Sequence, residues 1–283
     1  MDEMLRALMG SIWQPEQTNQ DESPKIVRFK EIDNGGLEVT LQANEFSKIA
    51  VVVFKGTTME RIDKEEEPVD LGPNFLENAA KWVDEKLANV EKLKGVEFEM
   101  KSIPSNFFAI KAIKDCEDIS LIGCEDTTVL REHLCTKVSM ESLSFHNCTD
   151  IWPKMLDIPA FINCAILQIH GGTVPSDVFK SAKFQRISIQ EADCAQEDIN
   201  CWIKRFAPKL RADIFQQGFS IELKEDADLE KLLKNVNVEP AENRRPGKKT
   251  YLINDDSGNF MGAMNVMNNR NINYAMFGVD LFQ

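Results

Sequence analysis

What this chain lacks narrows its chemistry before anything present is considered. No apolar run approaches the eighteen or more residues that a membrane span requires, the longest being Ile49 to Phe54, so no membrane association is expected. No basic lead precedes the short apolar stretch at the N-terminus, which Asp2, Glu3 and Arg6 interrupt, so a secretory signal is not expected either. Positive charge is in deficit: 33 basic against 46 acidic side chains leave −13, a field that repels phosphate backbones, and nucleic acid is not expected as a partner. The seven cysteines are odd in number and follow no disulfide framework or C-x2-C metal spacing, which fits a reducing compartment and a cytoplasmic or nuclear location. With only three histidines beside them, structural zinc is not expected, and nothing calls for a cofactor. Spacing alone does not decide a Cys-His nucleophilic pair, because such partners meet only in the fold. Gly247-Lys248-Lys249-Thr250 resembles the tail of a phosphate loop, but Glu242 stands where the upstream glycine is required.

What is present is a repeat. A nine-residue pattern (apolar, two others, apolar, one other, apolar, two others, then a small or sulfur residue) recurs five times. The copies are Leu93-x-x-Val96-x-Phe98-x-x-Lys101, Cys116-x-x-Ile119-x-Leu121-x-x-Cys124, Met140-x-x-Leu143-x-Phe145-x-x-Cys148, Cys164-x-x-Leu167-x-Ile169-x-x-Gly172 and Phe184-x-x-Ile187-x-Ile189-x-x-Ala192. This is the leucine-rich-repeat template, and only Lys101 departs from it badly. One strand and its return cannot bury an apolar face alone, so copies stack and share a core. Helical returns are expected at Thr127 to His133, Thr149 to Leu156, Val174 to Ser181 and Ala195 to Phe206, the last opened by Asp193 and Gln196 at capping-box spacing.

The predicted fold is α/β: an irregular leucine-rich-repeat-like solenoid over 93–236, with an N-terminal helical and strand cap over 25–92 and a C-terminal antiparallel sheet over 237–283. Residues 1–24, rich in Gln, Glu and Asn from 14 onward, read as a mobile arm. In the cap, Leu37-x-Val39-x-Leu41 and Ile49 to Phe54 read as strands, Glu60 to Pro68 as an acidic loop, and Pro73 to Val90 as a helix, capped by Asn74 and Glu77, that covers the open end of the solenoid. Phe219-x-Ile221-x-Leu223 adds a strand and Leu229 to Val236 a helix. Thr250 to Ile253, Phe260 to Val266 and Ile272 to Phe277 form the closing sheet. Arg244, Arg245, Lys248 and Lys249 are the one cationic cluster, read first as a solvated loop and second as a grip for an acidic partner.

The stretch from Ile187-Ser188-Ile189 through Asp198-Ile199-Asn200-Cys201-Trp202-Ile203-Lys204-Arg205-Phe206 to Ala207-Pro208-Lys209-Leu210 resembles the nematode F-box-associated domain of the second type, as do Phe219 to Leu223 and Tyr251 through Asp256-Ser257-Gly258. Proteins of that family begin with an F-box that docks on the Skp-type adaptor of a cullin ubiquitin ligase, while the associated domain is thought to hold the substrate. Residues 1 to 45 offer one short helix candidate, Met4 to Trp13, and then strand signals, so the F-box is expected to be missing. The resemblance implies a non-catalytic protein-binding module with a protein partner; the alternative is a substrate-recognition subunit of a cullin-based ligase that engages a Skp-type adaptor through an atypical N-terminus.

If the repeat register holds, side chains between the apolar positions face away from the core in columns about 4.8 Å apart from strand to strand. One column is Gly95, Asp118, Ser142, Ile166 and Arg186; the next is Glu97, Ser120, Ser144, Gln168 and Ser188; the third is Glu99, Ile122, His146, His170 and Gln190. From these the expected partner-binding residues are Glu97, Glu99, Ser120, Ile122, Ser144, His146, Gln168, His170, Arg186, Ser188 and Gln190. The alternative is that they are simply solvated. His146 and His170 become neighbours in this scheme, a pair whose binding would respond to pH near 6 to 7.

Overall fold

The computed structural model describes residues 23–275 apart from 34, 150, 153, 182–183, 192, 207–217, 224, 242–245, 255–256 and 269. The expected helix Met4–Trp13 and nearly all of the arm over 1–24 therefore lie outside the described residues, as do Pro208, Lys209, Leu210, Arg244 and Arg245.

Period-2 alternation decides where strands form. Val27 and Phe29, Val96 and Phe98, Ile119 and Leu121, Leu143 and Phe145, Leu167 and Ile169, Ile187 and Ile189, and Phe219 and Ile221 are all at most 5% exposed, while the residues between them face outward. They lie on β1 (Ile26–Ile32), β6 (Gly95–Glu99), β7 (Asp118–Ile122), β8 (Ser142–His146), β9 (Ile166–His170), β10 (Arg186–Gln190) and β11 (Gly218–Glu222). These seven are consecutive neighbours, each parallel to the next. Antiparallel arms extend the layer on both sides. On one side β1 leads to β2 (Gly36–Gln42), β3 (Lys48–Lys55), β4 (Thr58–Arg61) and β5 (Val69–Asp70). On the other, β11 leads to β15 (Asn271–Ala275), β14 (Phe260–Met267), β13 (Lys248–Asn254) and β12 (Val238–Ala241). Among the described residues this is one mixed α/β arrangement around a single open sheet of 15 strands, with edges at β5 and β12. Pro240 and Glu239 on β12, and the two-residue length of β5, are edge features that discourage further pairing.

Among the described residues the helices lie on the apolar face. They are α1 (Phe75–Leu87), α2 (Lys111–Lys114), α3 (Thr128–Cys135), α4 (Pro159–Ile162), α5 (Ser176–Ser181), α6 (Gln196–Phe206) and α7 (Leu229–Leu232). Leu130 and Leu134, Phe161, Val178 and Phe179, Ile199, Trp202 and Ile203, and Leu232 join the strand residues in one buried cluster. Burying such a face is the main stabilising term, at about 25 cal/mol per Å² of apolar surface.

Several local expectations are corrected. α1 packs on β2 and β3, covering the core face of the N-terminal arm instead of a solenoid end. Asn74 sits at its N-terminus in the left-handed region (φ 74°) without a side-chain cap, because that conformation carries the amide away from the first turn. The helix expected at 149–156 is replaced by a 3-10 turn at Lys154–Asp157 followed by α4, whose start suits Pro159 because the first turn of a helix needs no N–H there. Glu60 and Arg61 belong to β4 and not to a loop. Gln196 bridges to the segment before α7 instead of closing a local box: its Nε2 donates to Asp226 O (3.2 Å) and its Oε1 accepts from Asp228 N (2.6 Å).

Candidate binding face

The chain leaves β7, β8, β9 and β10 each through a left-handed residue: Gly123 (φ 64°), Asn147 (φ 51°), Gly171 (φ 77°) and Glu191 (φ 51°). The ladder continues one step into these turns, with Gly123 N donating to His146 O, Asn147 N to His170 O and Gly171 N to Gln190 O at 2.7–2.8 Å. Gly171 has a further constraint, since a Cβ there would collide with Asn147 Oδ1. Cysteine at positions of the nine-residue pattern links successive strand segments. Cys116 Sγ reaches Asp118 O (3.2 Å) and Leu93 O (3.9 Å); Cys124 Sγ reaches Asp126 O (3.2 Å) and Lys101 O (3.6 Å). Cys148 and Cys164 make equivalent pairs of contacts with Leu121 and His146, and with Glu141 and Ile166. Burial pushes Cys124 up to about 11 and Cys164 up to about 12, so these thiols stay protonated and serve as donors to carbonyls, not as nucleophiles.

With the turns so fixed, the columns stand in register. Glu97 pairs with Ser120, Ser120 with Ser144, Ser144 with Gln168 and Gln168 with Ser188. The neighbouring column runs Glu99, Ile122, His146, His170, Gln190. Asp118, Ser142, Ile166 and Arg186 form the third. The structure thus brings together all eleven residues singled out from the sequence. Gln168, Arg186 and Gln190 are exposed, Ser144 is buried at 8% exposure, and the other seven are intermediate.

The middle column is longer than the repeat. Across β1 and β2 it continues as Arg28 and Thr40, and beyond β10 as Ser220, then through the register of position 273 to Asn265 and Thr250, whose hydroxyl donates to Asn265 Oδ1 at 2.8 Å. Arg28 and Lys30 were missed by sequence reasoning, although Val27-x-Phe29 reproduces the Val96-x-Phe98 core of the repeat. Both form ion pairs across the β1–β6 seam: Arg28 Nε to Glu97 Oε1 at 2.6 Å and Lys30 Nζ to Glu99 Oε1 at 2.8 Å. The Glu99 carboxylate raises the Lys30 pKa.

His146 and His170 meet edge to face, with ring centroids 5.7 Å apart. Burial lowers the His146 pKa and the adjacent His170 lowers it further. His170 Nε2 lies 3.1 Å from Glu191 Oε2. Among the described residues no group of three or more His, Cys, Asp or Glu side chains is arranged to hold a metal ion, and no helix is long and apolar enough to cross a membrane. Gly247-Lys248-Lys249-Thr250 runs into β13, a strand, where a phosphate loop would lead into a helix.

Compared with models of known protein families, with curated proteins and with solved structures, the chain matches none. The site therefore has to be judged on its own chemistry. It offers a long polar surface edged by charge, with histidines and serines that can donate and accept hydrogen bonds and few apolar positions (Ile122 and Ile166).

Proposed function

We propose that the chain is a non-catalytic protein-binding module that holds an extended segment of a partner protein along the open strand face. The observation that carries this reading is the polar column in register from Arg28 to Ser220, over which no described helix lies, on a sheet whose other face is covered by the described helices. Structural demands alone do not require such a column. Side chains aligned at strand spacing match the repeat of an extended peptide, and curved strand layers of stacked coils commonly bind in this way. The finer reading is a leucine-rich-repeat-like solenoid of the lineage represented by the nematode F-box-associated domain of the second type. The five nine-residue copies, the left-handed strand exits and the carbonyl-bonded cysteines support it.

Affinity capture of the intact chain, followed by mass spectrometry and repeated with Gln168→Arg and Gln190→Arg, tests the proposal. The expected outcome is a partner retained by the native chain and lost by both variants, because each places a long cation in the path of the segment without touching the core. Equal recovery with all three chains overturns it. A Skp-type adaptor retained in stoichiometric amount would make the protein a substrate-recognition subunit of a cullin-based ligase.

A further inference from the structure

The strand face carries one feature that a merely solvated surface does not explain. In the first column, where β1 and β7 on either side carry Ile26 and Asp118, β6 has Gly95, and a cleft of about 180 Å³ opens there, lined by Glu45, Gly95, Glu97, Asp118, Ser120 and Ser144 among others. The space is open: a Cβ built on Gly95 would approach nothing closer than 3.7 Å, and its backbone is not left-handed. Ser144 stands in the wall at 8% exposure and hydrogen-bonds to no described residue. The hydroxyl is not among the fully buried polar atoms and stays open to a group that enters the cleft.

Asp118 is the second polar group at the cleft, and it has a hydrogen bond from Ser142 but no paired cation among the described residues. It is half-buried on β7 beside Ser142, and no lysine or arginine among the described residues comes within ion-pair distance of it. The neighbouring cations are otherwise engaged, Arg28 by Glu97 and Lys92 by Glu117 (2.8 Å). Lys94 lines the cleft and attracts Asp118 only at longer range. Burial raises the Asp118 pKa against the hydrogen bond from Ser142, and Glu141 and Glu117 push the same way as burial. One residue beyond Glu45, Phe46 is 94% exposed on a turn in which Phe46 N and Ser47 N both donate to Asn44 Oδ1, at 2.9 and 3.0 Å. An aromatic ring held outward beside acidic groups suits the stem and charge of a basic side chain.

We propose that this cleft receives the cationic end of a lysine or arginine side chain on the bound segment, with Asp118 as its counter-ion and the Ser144 hydroxyl as a hydrogen-bond acceptor. The inference rests on the reading of the open face as a binding surface and specifies the partner: a segment that is basic at this point. A chain of net charge −13 favours such a partner over an acidic one.

The test is an NMR titration of the full isotope-labelled chain with a blocked alanine pentapeptide carrying a central arginine, against the same peptide carrying uncharged citrulline. Saturable shifts are expected at the amides of Gly95, Asp118 and Ser144. Binding should weaken about tenfold or more with citrulline, with Asp118→Asn and with Gly95→Leu, the range that loss of one charge-assisted contact gives. Gly95→Leu fills the cleft and leaves net charge unchanged, which separates the cleft from general attraction to an acidic protein. Shifts spread over the acidic residues 63–67, or an unaltered response in Gly95→Leu, overturn the proposal. If a captured partner is lost by Gln168→Arg but binds Gly95→Leu and Asp118→Asn normally, the cation site is wrong and the open-face reading stands. If neither set of variants affects the partner, both fail.

Discussion

The parallel strands β6 to β11 and the arms beside them, the N-terminal one joined through β1, which also runs parallel to β6, belong to one sheet, yet they treat its two faces differently. In the parallel part every return passes through a helix or a 3-10 turn on the same side, so one face is fully sealed and the other is left to small polar side chains such as Ser120, Ser144, Ser188 and Ser220. In the N-terminal arm the connections are short turns, α1 alone lies over β2 and β3, and the open face carries the ion-paired Arg28 and Lys30. Parallel pairing demands crossovers and therefore repetition; antiparallel pairing needs only a turn. The parallel part is accordingly the one with a uniform surface and a core shared by all its strands and their returns.

The largest break in this comparison comes from core truncation. Phe145→Ala, at 1% exposure on β8 in the middle of the parallel strands and against Phe161, is expected to cost about 3–5 kcal/mol in urea denaturation. Its amide exchange should accelerate in the strands on both sides, β7 and β9. Ile253→Ala, fully buried in the C-terminal arm, is expected to cost about 2–5 kcal/mol but to loosen β12 to β14 first. Uniform loss of protection in both variants would erase the distinction between the parallel part and the arm.

Next in size is a pH effect peculiar to the helix layer. His133 on α3 is 6% exposed, stacks on Phe108 with centroids 4.3 Å apart and has an Nε2 without a hydrogen-bond partner. Burial, aided by the charges of Lys137 and Lys114, lowers its pKa to about 4. The unfolded chain takes up this proton near pH 6.5 and the folded chain only near 4, so stability is fully present above pH 6.5, falls as pH drops from 6.5 to 4 and is level below. The loss is about 3 kcal/mol, and His133→Phe should remove that slope from a stability-versus-pH profile.

Smaller effects probe the turns and the seam. Gly123→Ala, left-handed but with open space around it, should cost about 1–2 kcal/mol in thermal or urea unfolding. Gly171→Ala should cost more, because it must also displace Asn147, and adding Asn147→Gly should return it to the cost of the Gly123 change. A double-mutant cycle on Arg28 and Glu97, which are 41% and 20% exposed, should give a coupling of about 0.5–1 kcal/mol that shrinks in salt. Within the repeat, NMR titration should find His146 below the ordinary histidine range and moving upward in His170→Gln; an unmoved midpoint would show that the two rings do not interact.

Much of this arrangement was legible in the residue order because its signals are local and repeated. The copies from Cys116 to Gly172 carry both the strand alternation and the small residue at the exit, and this is enough to set which side chains share a column. What escaped was set by distant contacts. Asn200, 6% exposed, donates to Leu232 O (2.7 Å) and Lys234 O (3.1 Å), and Asp198 accepts from Ser176 Oγ at 2.6 Å, so α5, α6 and α7 are joined by buried polar bonds that no spacing announces. The burial of His133 and the role of Gly95 are of the same kind, since each depends on what the neighbouring coil leaves beside it. Arg28 and Lys30 were hidden because β1 joins the layer from outside the 23–24-residue period.

The central claim is that a partner lies on the strand face and not on the helix layer. The most direct measurement is the affinity of the captured partner for arginine substitutions at Gln168, Ser188 and Gln190, compared with substitutions at Glu132 and Asp177 on the exposed side of α3 and α5. A loss of about tenfold or more for each of the first three, with the last two within about twofold of the native chain, is the predicted result. Losses confined to Glu132→Arg and Asp177→Arg would contradict it.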